Sequence, residues 1–118
     1  MRLSLLLFFL YRLLWLASKT NKGFKKFIQK ASVRVMIKTE DGRHARLFIF
    51  NRGTVSSITG PDHNYDVAMV WKDSSTAFNV LLKKDIKEIF NAAASGKLKI
   101  KGMSVYAVWF DNATSYIV

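Results

Sequence analysis

Two histidines, eight acidic residues and no cysteine are the stock of side chains for acid–base, nucleophilic or metal chemistry in these 118 residues. Without cysteine there is no thiol nucleophile, disulfide, thiolate zinc site or iron–sulfur cluster. Nucleophilic catalysis needs a serine or threonine within reach of a base that is itself oriented by a third group. His63, between Asp62 and Asp66 in the loop that begins Gly60-Pro61, is the one place where a base and carboxylates stand together. No nucleophile-elbow motif accompanies it, and a solvated loop histidine explains the same residues. His44 lies at a turn between Arg43 and Arg46. Two dispersed histidines without clustered carboxylates make no persuasive metal site, and no glycine-rich loop is placed to cradle phosphates. The residues argue against an enzyme and require no cofactor.

What the composition does offer is apolar and cationic. Half of the residues are apolar, 14% are aromatic, and the net charge is +11. Such a chain is no disordered basic tail, and its charge asks for an anionic partner, nucleic acid or an acidic membrane. Residues 1–30 hold seven basic residues and no acid, so they carry +7 of that charge. From Leu3 to Ala17 only Ser4 and Arg12 interrupt thirteen apolar residues. As a helix this run is about 22 Å long, short of a bilayer core of roughly 30 Å, and Arg12 makes a simple span costly.

At helical spacing Ser4, Tyr11, Ser18, Lys22, Lys25 and Gln29 fall near one line, flanked by Arg12, Lys19 and Lys26, with a wide apolar arc opposite. Thr20, Asn21 and Gly23 predict a break. The segment reads as an interfacial anchor in which Leu5, Leu6, Phe9, Leu13 and Leu16 insert while Arg12, Lys19, Lys22 and Lys26 meet anionic headgroups. Two further readings stay open: a helix packed on the body or on a partner subunit, and a cleaved signal peptide, although Trp15 and Leu16 stand where small residues should precede a cut.

After Lys30 the periodicity turns from helical to alternating. Val33, Val35 and Ile37 mark a half-buried strand, Glu40-Asp41-Gly42-Arg43 a turn, and Arg46 to Phe50 a strand covered on both faces. Thr54 to Thr59 and Tyr65 to Trp71 complete an expected four-strand meander. Asp73, Ser74 and Ser75 can cap a helix carrying Phe78, Leu81 and Leu82. Asp85 can cap a second, with Ile86, Ile89, Phe90 and Ala93 inward and Gly96 at its end. Lys97-Leu98-Lys99-Ile100-Lys101 alternates strictly, as an edge strand does. Residues 103–118 fit strand or helix. Grouped strands and grouped helices indicate an α+β domain over 31–118 behind an N-terminal basic apolar helix over 1–30.

Tyr65-Asp66-Val67 through Trp71, then Lys72-Asp73-Ser74-Ser75-Thr76-Ala77-Phe78, then Gly96-Lys97-Leu98-Lys99-Ile100-Lys101-Gly102, resembles the sterol carrier protein 2 family over about residues 33–110. Met103 stands where family members commonly carry an acid, and the N-terminal helix lies outside the minimal domain. The resemblance implies a five-stranded, mainly antiparallel sheet with helices on one face, enclosing an apolar tunnel for an acyl chain, sterol or isoprenoid tail. Some members of the superfamily are lipid-binding accessory factors of ubiquinone biosynthesis. On that footing Phe48, Phe50, Trp71, Phe78, Leu82, Phe90 and Trp109 are candidate cavity residues, and core filling accounts for each of them equally simply.

The leading reading is a non-catalytic lipid carrier, cytoplasmic and held at the inner face of an anionic membrane by residues 2–30. A structural or assembly subunit, docking on a protein partner or a second copy through its N-terminal helix, is the first alternative. A nucleic-acid-binding protein using Lys97, Lys99, Lys101 and Arg43, Arg46, Arg52 is weaker, because its aromatics lie in apolar runs instead of among the cations.

Overall fold

The computed structural model describes residues 2–83 and 86–117. Two helices open the chain, α1 (Arg2–Thr20) and α2 (Lys22–Ile28). They meet at the expected break, where the Asn21 side chain accepts a hydrogen bond from the Phe24 N–H at 3.0 Å and caps α2. Strands β1 (Ser32–Thr39), β2 (Ala45–Asn51) and β3 (Thr54–Thr59) follow as an antiparallel meander.

The fourth strand departs from the expected meander. β4 (Val67–Trp71) does not pair with β3 but crosses to the far side of β1 and runs parallel to it, from Val35↔Val67 to Thr39↔Trp71. Its composition explains why. Every residue of Val67-Ala68-Met69-Val70-Trp71 is buried, and a strand with no polar face belongs inside a sheet, covered on both sides. After α3 (Ser74–Lys83) and α4 (Ile86–Ala94), β5 (Leu98–Gly102) pairs antiparallel with β4, giving the order β3-β2-β1-β4-β5. β5 is an edge strand, with Leu98 buried and Lys99 and Lys101 exposed. The undecided C-terminal stretch forms α5 (Val105–Thr114), which buries Ala107, Phe110 and Ala113 at three-residue spacing, and then a 3-10 turn (Ser115–Ile117).

All helices contribute to one face of the sheet. There Val33, Val35, Ile37, Phe48, Phe50, Val67, Met69 and Trp71 join Leu3, Leu7 and Leu14 of α1, Phe24 and Ile28 of α2 and Phe110 of α5 in a single core. The opposite face carries a smaller cluster of Met36, Leu47, Ala68 and Val70, on which Tyr65 packs. The N-terminal helices and the sheet therefore share one core.

Local chemistry secures the joints. The Asp73 carboxylate accepts the Thr76 N–H at 2.7 Å and caps α3, while the suggested cap at Asp85 lies outside the described residues. Hydrogen bonding from Thr76 holds the Asp73 carboxyl below its ordinary range. A depressed folded-state pKa means stability that is present above the unfolded value and is lost as pH falls through the carboxylate range. Asp73→Ala is expected to cost about 1 kcal/mol in urea unfolding at neutral pH, with the difference from the unmodified chain shrinking in acid. At the end of β5, Gly102 has φ +83°, and a Cβ there would lie 2.4 Å from the Asp66 carbonyl oxygen. Gly102→Ala is expected to cost more than about 2 kcal/mol, read from the same urea midpoints.

Candidate functional site

The helices do not fill the space above β4 completely. A cavity of about 50 Å³ remains between Leu6 and Leu10 of α1, Met69 of β4, Val80 and Leu81 of α3, Ile89 of α4 and Ala107 and Phe110 of α5. Its lining is apolar except for Asp111 and Thr114, one turn further along α5. Thr114 Oγ1 donates to the Asp111 carbonyl at 2.9 Å, so that hydroxyl is engaged within the helix. Walls from five elements converge here, as in ligand sites between packed helices and a sheet. The volume is far below the roughly 300 Å³ at which such sites start. It is a small apolar void, with two leucines of α1 as one wall.

None of the seven aromatic and aliphatic residues singled out in the sequence lines this space. Phe48, Phe50 and Trp109 are brought together, but as packing: Phe48 and Phe50 contact Phe110 at ring-centroid distances of 5.4 and 6.0 Å, and Trp109 stacks on Phe27 at 5.4 Å. Phe110 alone of this cluster reaches the cavity. Trp71 is fully buried two residues beyond Met69 on the same sheet face, and its indole Nε1 has no hydrogen-bond partner among the described residues. Phe78 is half-buried. Leu82 and Phe90 point outward, 57% and 53% exposed, because their helices bury the Ala77 and Ile89 faces instead. The cavity residues that sequence reasoning missed, Ala107 and Phe110 above all, sit on the helix that its β-rich composition concealed.

On α1 the polar line is turned toward the body of the protein. Ser4 Oγ lies 2.7 Å from His44 Nδ1, Ser18 is buried, Tyr11 is half-buried, and the Arg46 guanidinium sits 5.6 Å from the Phe8 ring while donating to Ser57 Oγ. Burial between α1 and the sheet lowers the Arg46 pKa. The Ser4–His44 pair has nucleophile and base in contact, but among the described residues no carboxylate orients the imidazole from its other nitrogen, and its visible work is to pin α1 to the β1–β2 turn. His63 Nε2 is 2.9 Å from the Thr59 carbonyl, a local loop contact.

Leu3, Leu7, Leu14 and Ala17 face the core, and Leu6 is half-buried against the cavity. The opposite side of the helix is also apolar: Leu5, Phe9, Leu13 and Leu16 are exposed, with Phe8 at the margin and Arg12 among them. Arg12 and Lys19 flank the Trp15 ring at 5.3 and 5.9 Å, and Lys22 and Lys26 are exposed on α2. By length and composition the stretch Leu3–Thr20 could cross a membrane. Of the three arginines expected at hairpin ends, Arg46 lies under α1, while Arg43 and Arg52 stand at opposite ends of β2.

The architecture has solved counterparts. A protein described as "UbiJ-SCP2 Ubiquinone synthesis protein" superposes with a TM-score of 0.68 at 14% identity, over 92% of this chain and 84% of its own. Sterol carrier protein 2 from Yarrowia lipolytica, in its apo form, gives 0.59 at 18% over 91% and 88%. A protein of Thermus thermophilus, described as possibly a sterol carrier protein, gives 0.60 at 12% over 92% and 80%. The fold is that of a sterol carrier protein 2 domain. At these identities the likeness is one of architecture; no family model and no curated protein matches the sequence.

Within this SCP2 fold Leu6 and Leu10 of α1 form one wall of the pocket. Leu10→Ala is expected to cost less than the roughly 2–5 kcal/mol typical of a fully buried leucine, because Leu10 is only half-buried, and to increase uptake of a fluorescent acyl probe. Unchanged or reduced uptake would show that α1 does not close the site.

Proposed function

We propose that the chain is a non-catalytic lipid carrier that works at an anionic membrane surface, with α1 as both its membrane contact and the wall that closes its cavity. The observation that carries this reading is that α1 is apolar on two opposite sides. Leu6 and Leu10 close the cavity, while Leu5, Phe9, Leu13 and Leu16 face away from the protein. A stripe of that kind on a soluble domain marks an interaction site. The cations beside it, Arg12, Lys19, Lys22 and Lys26, suit anionic headgroups, each contributing about 1 kcal/mol near the surface. Transfer of α1 from the pocket to the interface would leave its outer leucines in lipid and widen the space beneath Leu6 and Leu10. An acyl, sterol-like or isoprenoid tail fits the apolar lining, and the SCP2 architecture supports that ligand class.

A second reading has the same stripe dock on a protein partner or a second copy of the chain, as an assembly subunit. The charge around the stripe favours lipid. Flotation with anionic vesicles separates the two. The full chain is expected to float, and the double variant Phe9→Glu/Leu13→Glu is expected to stay in solution with unchanged far-ultraviolet circular dichroism, since both side chains are exposed. Persistent flotation of the variant would remove α1 from the membrane contact.

A further inference from the structure

Past the end of the apolar stripe lies a second concavity, of about 590 Å³, that no lipid tail would choose. Lys19 of α1, Lys22, Lys25 and Lys26 of α2 and Arg52 of the β2–β3 turn line it, and among the described residues no acidic one does. Five like charges around one hollow repel one another, and an anion between them relieves that repulsion.

Arg52 is held there at a conformational cost. It is the one non-glycine residue with positive φ, at 47°, among the described residues. Its N–H donates to the Ala31 carbonyl at 2.8 Å, and that of Gly53 donates to the Ile28 carbonyl at 3.1 Å, so the turn is stitched to the end of α2. Glycine or asparagine is the ordinary occupant of a left-handed turn position. An arginine persists there where its surroundings enforce it, and such strain gathers at ligand sites. Its fork matches phosphate oxygens in pairs, with the lysines as point charges around them.

We propose that this cleft is a headgroup site for a lipid carrying a phosphomonoester. The dianion answers the number of converging cations better than a singly charged diester does. Lys19 follows Leu16 by three residues and so neighbours it on the helix surface, which puts the chains of a lipid seated in the cleft beside the exposed stripe. Nucleic acid would want aromatic stacking surfaces among the cations, and the cleft is lined by none. The inference rests on the membrane role proposed for α1 and deepens it.

The test is co-sedimentation of the full chain with phosphatidylcholine vesicles doped with phosphatidic acid or, at matched surface charge, with phosphatidylglycerol. Binding is expected to be about fivefold tighter to phosphatidic acid. Arg52→Asn, which suits the left-handed turn, is expected to keep or raise thermal stability and to abolish the preference while phosphatidylglycerol binding persists. Lys22→Gln/Lys26→Gln is expected to do the same to the preference. Equal binding of the unmodified chain to both vesicles, or a preference that survives both variants, would overturn the cleft alone. Binding to neither vesicle would overturn the membrane reading with it. Occupation by a single-stranded oligonucleotide that phosphatidic acid vesicles fail to displace would reassign the cleft to nucleic acid.

Discussion

A helix that is apolar on two opposite sides needs two apolar environments. The body of this protein supplies one of them to α1, through Leu3, Leu7, Leu14 and Ala17. The rest of the architecture follows from that docking. Arg46 is half-buried on the helix-covered face because α1 lies over it, Ser4 meets His44, and Leu6 and Leu10 become a wall of the cavity. The unmet requirement is the outer stripe from Leu5 to Leu16. Inner and outer faces are thus coupled on one rigid element, and whatever draws the outer face away moves the wall.

Charge is arranged around the same helix. Of the seven basic residues in 1–30, Lys19, Lys22, Lys25 and Lys26 are collected at the end of α1 and along α2, around the hollow faced by Arg52. Elsewhere the basic residues are mixed with acids, as where Lys99 stands 3.8 Å from Glu40. Apolar surface and convergent cations in one region match a bilayer, which presents its hydrocarbon and its anions a few ångströms apart. The SCP2-like sheet beneath provides the rigid platform that keeps stripe, cleft and cavity in register.

Much of this was readable from residue patterns of short range. The alternation in Leu98 to Lys101, the cap at Asp73, the break at Asn21 and the glycine closing α4 each depend on neighbours in sequence, and each is found where expected. What could not be read depends on partners distant in the chain. β4 sits beside β1 because a wholly apolar strand is covered on both faces only inside the sheet, a fact about the sheet and not about the strand's neighbours. The polar line of α1 lies against the body, where Ser4 meets His44 of the β1–β2 turn and the buried Ser18 hydroxyl donates to the Trp15 carbonyl of its own helix. The cavity escaped notice for a related reason. Phe50 packs edge-on against Trp109, Phe48 and Phe50 both meet Phe110, and the space is left beside smaller residues such as Ala107 where five elements meet.

The central claim is that α1 leaves the cavity when it meets lipid, and the cysteine-free chain allows it to be tested with introduced spin labels. Labels at Leu13→Cys on the outer side of α1 and Asn79→Cys on α3, both exposed positions, report the separation of the two helices by pulsed electron spin resonance. In solution a single narrow distance distribution is predicted. With anionic vesicles present, a second and longer distance should appear and grow with bound fraction. A distribution unchanged when the protein is fully vesicle-bound would contradict the account.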